Sequence, residues 1–113
     1  MAVPTVTLGG KLWHLRFDMN AIAELEGALR LTIKEIGTRL MRGKMGTREA
    51  RALVWAGMLH ENEDLGVLQV GDWLHEAGFL KDVKARDALL VKVFDALTAA
   101  FPEAPKTDGN DPN

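Results

Sequence analysis

The sequence contains no cysteine, no serine and no tyrosine. Without cysteine there is no disulfide, thiolate zinc site, iron–sulfur cluster or cysteine nucleophile, and without serine there is no serine nucleophile. No apolar run approaches the roughly 20 residues that span a bilayer. The first residues have neither the basic nor the apolar segment of a secretory signal. We therefore expect a cytoplasmic protein with no membrane partner.

Motifs typical of enzymes are also missing. The sequence has no Gly-x-Gly-x-x-Gly, no Walker A and no nucleophile-elbow pattern. His60-Glu61 begins like the zinc motif with two histidines, but the second histidine would fall at position 64, which is Asp64. Glu61, Glu63 and Asp64 do not fit a calcium-loop spacing, so a solvated acidic loop is expected. We predict a protein that is not an enzyme and that holds no metal and no cofactor.

The composition is that of one small globular domain. Of the 113 residues, 47% are hydrophobic and 27% are charged. We expect this domain over residues 1–101, followed by a polar, proline-rich and disordered tail over 102–113. Residues 1–60 carry a net charge of +4 and residues 61–113 a net charge of −6. This polarity suits oriented contact with a partner or with another copy, although chance and an acidic tail explain it equally well.

The first 17 residues have the pattern of a β-hairpin. Two β-rich segments within residues 3–17 flank Gly9-Gly10, a tight-turn signal. In the second segment Trp13, Leu15 and Phe17 alternate with polar residues, which places them on one face. Because an isolated hairpin is barely stable in water, this face is expected to pack on the rest of the domain.

Helical patterns fill the remainder of the domain. Asp18 and Thr47 are predicted N-caps, and Thr32 with Glu35 forms a predicted capping box. The predicted helices cover residues 19–29, 33–42, 48–60, 70–77 and 80–101. The fold class is therefore mainly α (α+β): an N-terminal β-hairpin followed by a compact bundle of four to five helices.

The sequence has more large apolar side chains than one thin core is expected to bury. Residues 52–59 have no polar face, which predicts a central helix or one that also contacts another chain. The last helix carries two stripes, a stronger one formed by Leu80, Val83, Leu90, Phe94, Leu97 and Phe101, and a weaker one formed by Leu89, Val93, Ala96 and Ala100. Core packing explains most of these residues. The remainder predicts a partner-binding surface, with candidates Trp55, Met58, Leu59, Trp73, Phe79, Leu89 and Val93.

A basic segment lies where the second and third helices are joined. Its cations are Arg39, Arg42, Lys44, Arg48 and Arg51. Two helices joined by a short glycine-containing turn are typical of helix-turn-helix DNA binding. The would-be recognition helix over 48–60, however, is apolar and lacks the polar side chains that read base edges. A solvated basic contact surface is therefore favoured, and nucleic acid is not an expected partner.

Three segments resemble a known family. Residues 16–21 read Arg-Phe-Asp-Met-Asn-Ala, residues 53–61 read Leu-Val-Trp-Ala-Gly-Met-Leu-His-Glu, and residues 73–78 read Trp-Leu-His-Glu-Ala-Gly. With the preceding hairpin, they resemble the small tail-assembly proteins of siphophages and gene transfer agents, labelled phage tail assembly chaperone or gene transfer agent family protein. The resemblance covers about residues 5–101.

The resemblance implies a non-enzymatic tail assembly chaperone. Such a protein would bind the tape measure protein in the bacterial cytoplasm, recruit tail-tube subunits and be absent from the mature particle. Two alternatives stay open. One is a structural component associated with the tail tube, a homo-oligomer joined through the hairpin edge. The other is a small helix-turn-helix-like DNA-binding regulator that would use the basic segment.

Overall fold

The computed structural model describes residues 3–101 and has two strands followed by five helices. The elements are β1 (Thr5–Leu8), β2 (Lys11–His14), α1 (Met19–Leu29), α2 (Ile33–Met41), α3 (Thr47–Met58), α4 (Val67–Glu76) and α5 (Val83–Ala100). The predicted mainly helical fold with an N-terminal hairpin is confirmed. The tail predicted over 102–113 lies outside the described residues. Within residues 3–101, none of the helices has the length and apolarity to span a bilayer.

The hairpin is closed by its two glycines. Strands β1 and β2 pair antiparallel, with Leu8 opposite Lys11 next to the turn. Gly9 and Gly10 have φ values of 61° and 76°, the left-handed region that this two-residue turn requires at both positions. The predicted inner face is buried, with Trp13 3% exposed. The hairpin therefore supplies one side of the core.

Side chains of the same chain bond to both edges of the sheet. On the outer edge of β2, the His14 N–H donates to the Glu61 carboxylate at 3.3 Å, and the His60 ring Nε2 lies 2.7 Å from the His14 carbonyl oxygen. On the outer edge of β1, Lys92 Nζ donates to the Thr5 carbonyl at 2.9 Å. These bonds work against strand addition. Strand addition at either edge would have to displace them.

The hairpin docks on α3 through Gly57. The Arg16 N–H donates to the Gly57 carbonyl at 2.9 Å, which satisfies a carbonyl in the last turn of the helix. A Cβ on Gly57 would lie 3.2 Å from Leu15 Cδ2 and 3.3 Å from Phe17 Cζ. The absence of a side chain at this position lets the inner face of the hairpin approach the helix closely.

Local caps set the starts of the first two helices. The Asp18 carboxylate accepts from the Ala21 N–H at 2.9 Å at the start of α1. At the start of α2, the Thr32 hydroxyl accepts from the Glu35 N–H at 3.2 Å. The Glu35 carboxylate accepts from the Thr32 N–H at 2.8 Å. The predicted N-cap at Asp18 and the predicted capping box are both present.

The other helix starts differ from the prediction. Thr47 is the first residue of α3, and Gly46 is its N-cap. The Glu49 carboxylate accepts from the Gly46 N–H at 3.0 Å, which replaces the expected threonine cap. Helix α4 starts at Val67, three residues earlier than predicted. Helix α5 starts at Val83, three residues later, because the chain turns at Gly78 before Asp82 caps the helix.

Helix α3 is the central element. It packs against α1, α4, α5 and β2. Leu53, Val54 and Met58 have no exposed surface, and Trp55 is half-buried. The absence of a polar face over residues 52–59 is therefore explained by neighbours within the same chain.

Helix α5 places its weaker stripe inward. Its buried residues are Leu89, Val93, Ala96 and Leu97. In the stronger stripe, Leu80 and Val83 are more than half exposed, and Leu90 and Phe94 are half-buried. The expectation that the weaker stripe supplies the surplus surface is wrong. The core covers the weaker stripe together with Leu97 of the stronger one, and the other large side chains of the stronger stripe are left partly or largely exposed.

Candidate functional site

An apolar groove of about 920 Å³ is lined by residues of α2, α3, α4 and α5. We call it the α4–α5 groove. Val54 and Arg51 of α3 form its floor, and the segment after α4 contributes to its wall. Its apolar lining consists of Leu40, Met41, Met45, Val54, Leu68, Leu74, Phe79, Leu80, Leu89, Leu90, Val91 and Phe94. A concave apolar surface between helices is a typical site for binding another polypeptide.

The exposed apolar surface of the domain is concentrated at this groove. Of the eight large apolar side chains that are exposed within residues 3–101, four line it. These are Met41 at 72%, Leu68 at 68%, Val91 at 60% and Leu80 at 58% exposure. Single exposed leucines are ordinary, but a cluster of them around a cavity marks an interaction site.

Part of the stronger stripe of α5 lines the groove. Leu90 and Phe94 lie on its α5 wall, and Leu68 and Leu74 lie on its α4 wall. The prediction assigned the surplus apolar surface to the weaker stripe, but Leu90 and Phe94 of the stronger stripe line the groove.

Charged groups lie among these apolar residues. Arg51 is half-buried on the floor, and its Nε is buried without a hydrogen-bond partner. Asp72 on α4 and Asp87 on α5 are exposed, and Arg86 is half-buried. The ion pairs found within residues 3–101, His14–Glu61 and Arg39–Glu49, do not involve the groove. Its charges are therefore available to a bound partner.

The predicted partner-binding residues divide between groove and core. Phe79 lines the groove, and Leu89 lies at its base with 6% exposure. Met58 and Val93 have no exposed surface, and Leu59 is 9% exposed. The predicted surface placement of Met58, Leu59 and Val93 is wrong, because all three belong to the hydrophobic core.

Both tryptophans among the predicted residues are held within the domain. The Trp55 indole N–H donates to the Leu65 carbonyl at 2.7 Å. The Trp73 ring lies 5.8 Å from the Trp13 ring, centroid to centroid, at an interplanar angle of 36°. Both side chains are half-buried, and their partner-binding role stays a prediction.

The five predicted cations have different surroundings, and their role as a contact surface stays a prediction. Arg39 pairs with Glu49 at 3.5 Å, and Arg48 donates to the Ala28 carbonyl at 3.0 Å near the end of α1. Arg51 belongs to the α4–α5 groove. Arg39, Arg42 and Lys44 line a separate small depression together with Thr38. Within residues 3–101, no group of three or more histidine or acidic side chains could hold a metal ion.

Comparison with protein-family models gives one match, which spans residues 3–96. The family is described as phage tail tube protein, GTA-gp10. Neither the comparison with curated proteins nor the comparison with solved structures found a match.

Proposed function

We propose that this chain, which belongs to the phage tail tube protein family GTA-gp10, acts as an assembly chaperone. In this proposal the α4–α5 groove holds an apolar helix of the tape measure protein during tail morphogenesis. The bound complex then recruits tail-tube subunits. The family match supports a tail protein of a phage or gene transfer agent, and the client and the chaperone activity are the finer steps that we add.

The groove is the observation that carries this proposal. Helix-in-groove recognition buries apolar side chains of an amphipathic helix at i, i+3, i+4 and i+7 spacing. Fully burying an exposed leucine or valine side chain contributes about 1.5–3 kcal/mol. Leu68, Leu80 and Val91 together could therefore stabilise a complex by several kcal/mol before the entropic cost of association. Met41 and Met45 add flexible side chains that adapt to different helix surfaces.

Co-expression with the tape measure protein of the same phage or prophage tests the proposal. We expect the wild-type chain to keep the tape measure protein in the supernatant and to co-purify with it. Leu68→Asp should abolish both effects while leaving the fold intact, because Leu68 is 68% exposed. The matched control is Met19→Asp, an equally polar change at an exposed apolar residue away from the groove.

Two results would contradict the proposal. One is a tape measure protein that stays insoluble and does not co-purify with the wild-type chain. The other is equal co-purification with wild type and with Leu68→Asp, which would remove the groove from the interaction.

A second candidate function is a structural component of the tail. The family description itself favours it, since it names a tail tube protein. In that case the α4–α5 groove would be covered permanently by a neighbouring tail subunit rather than transiently by a client. The two functions differ in whether the chain stays in the finished particle.

A further inference from the structure

We infer that the helix held in the α4–α5 groove carries a carboxylate on its apolar face and that Arg51 binds this carboxylate. The inference rests on the proposed function and specifies the chemistry of the partner. Arg51 would be the residue that determines specificity within an otherwise apolar contact.

The packing of Arg51 holds it at the groove floor. A Cβ on Gly71 of α4 would lie 3.0 Å from Arg51 Cδ and 3.9 Å from Nη1. The missing side chain at Gly71 thus makes room for the arginine stem between α3 and α4. The arginine is placed by packing on two helices, so its guanidinium is oriented before any partner binds.

The Arg51 guanidinium has a donor without a partner. Within residues 3–101, Nε of Arg51 is the one buried side-chain nitrogen or oxygen that makes no hydrogen bond. Because Nε itself is covered, a carboxylate in the groove would bind the terminal Nη groups, and the unsatisfied Nε leaves the guanidinium charge poorly compensated within the domain. A carboxylate is the acceptor whose geometry matches the planar fork of a guanidinium.

The acidic residues of the groove do not fill this role. Asp72 on α4 and Asp87 on α5 line opposite walls, and neither forms an ion pair with Arg51 within the described residues. Both are exposed, so they suit basic side chains on the flanks of a bound helix. The complementary partner is an amphipathic helix with one acidic residue in its apolar face and lysine or arginine on its flanks.

Two occupants from the protein itself fit less well. Residues 102–113 contain no apolar side chain larger than proline, so they cannot fill an apolar groove. Groove-to-groove pairing of two copies would set one concave surface against another, and neither copy would supply a protruding helix face to fill the space between them. A separate helix that carries a carboxylate matches the groove better.

The test uses overlapping 25-residue synthetic peptides that cover the tape measure protein, with fluorescence anisotropy as the readout. We expect the tightest peptides to be amphipathic and to carry Asp or Glu among their apolar positions. Changing that residue to its amide should weaken binding to the wild-type chain by about tenfold or more. The Arg51→Met variant should bind the acidic peptide more weakly than the wild-type chain does, by a similar factor. It should bind the acidic and amide peptides with equal affinity.

Controls separate this role from a structural one. Arg51→Lys should restore part of the preference for the acidic peptide, because a cation returns without the guanidinium fork. Lys34→Met, a change at an exposed cation of α2 outside the α4–α5 groove, should leave both affinities unchanged. Thermal melting should show that Arg51→Met still folds, since the substitution removes a donor that lacks a partner.

The outcomes distinguish the inference from the proposed function. If peptides bind but neither the amide change nor Arg51→Met alters their affinity, the inference is wrong and the proposed function stands. If no peptide binds the wild-type chain, the proposed function is wrong and the inference falls with it. A dimer in sedimentation equilibrium that Leu68→Asp dissociates would identify a second copy as the occupant and would overturn the inference.

Discussion

Individual glycines determine how closely the elements of this domain approach each other. Gly9 and Gly10 both have positive φ, but they differ in their surroundings. A Cβ on Gly9 would overlap the indole ring of Trp73, whereas a Cβ on Gly10 would meet open space. The hairpin turn therefore packs against Trp73 of α4 at Gly9, whereas the space beside Gly10 is open.

We predict that Gly9→Ala destabilises the protein more than Gly10→Ala. A left-handed conformation costs a non-glycine residue about 1–2 kcal/mol, and this is the main cost expected for Gly10→Ala. Gly9→Ala adds the displacement of Trp73 from its place beside Trp13. Urea denaturation of the two variants measures the difference, and equal midpoints would contradict this account of the turn.

The Glu61 carboxyl couples stability to pH. Partial burial raises its pKa, but the side-chain and backbone hydrogen bonds from His14 lower it, so that the pKa lies below the ordinary value of 4.5. A carboxyl whose pKa is lower in the folded state stabilises the fold above its unfolded pKa. It loses this contribution as the pH falls through the folded pKa.

Glu61→Gln should therefore cost stability at pH 6 and progressively less as the pH falls below about 4.5. The measurement is the urea midpoint of both proteins at several pH values between 6 and 3. Glu63→Gln, the same change at an exposed neighbour in the same loop, is the matched control. A constant difference between wild type and Glu61→Gln would rule out titration of this carboxyl as the cause.

Helix α5 separates a stabilising face from a binding face. Leu89 is 6% exposed against the core, whereas Val91, two residues later, is 60% exposed beside the α4–α5 groove. Leu89→Ala should lower the free energy of unfolding by about 2–5 kcal/mol. Val91→Ala should change it by less than about 0.5 kcal/mol. Chemical denaturation compares them, and similar losses would show that both sides of the helix are packed.

The elements differ in how far the sequence predicts them. The hairpin and the caps at Asp18 and Thr32 depend on residues close together in the chain, so local patterns suffice. The inner face of α5 depends on where α3 lies, which is a tertiary contact between two adjacent apolar stripes. The prediction that Met58 and Val93 lie at a surface is wrong for the same reason. Their burial depends on neighbours that are distant in the sequence. No single sequence motif predicts the groove. Nothing in the sequence indicates that Arg51 lines it and the other four cations of the basic segment do not.

At the scale of the whole molecule, the two candidate functions differ in whether the groove is filled transiently or permanently. Membership of the tail tube protein family is compatible with a place in the particle. A chaperone leaves after assembly, whereas a component stays at a fixed ratio to the other tail subunits. The groove alone fits both, since each requires an apolar contact with another chain.

Quantitative mass spectrometry of purified particles separates the two functions. The chaperone proposal predicts that the chain is abundant in lysates during assembly and absent from density-gradient-purified particles. The measured ratio to the other tail subunits in the same particles serves as the internal standard. A stoichiometric signal in washed particles would favour the structural component over the chaperone.

The bond between Arg16 and Gly57 also bears on how the chain folds during synthesis. The N-terminal strands leave the ribosome first, but the carbonyl on which they dock is made roughly forty residues later. At typical elongation rates of about 5–20 residues per second, this delay is roughly 2 to 8 s. During that interval Trp13 and Phe17 have no native surface to cover them, so early synthesis is the period when this protein itself most needs protection from aggregation.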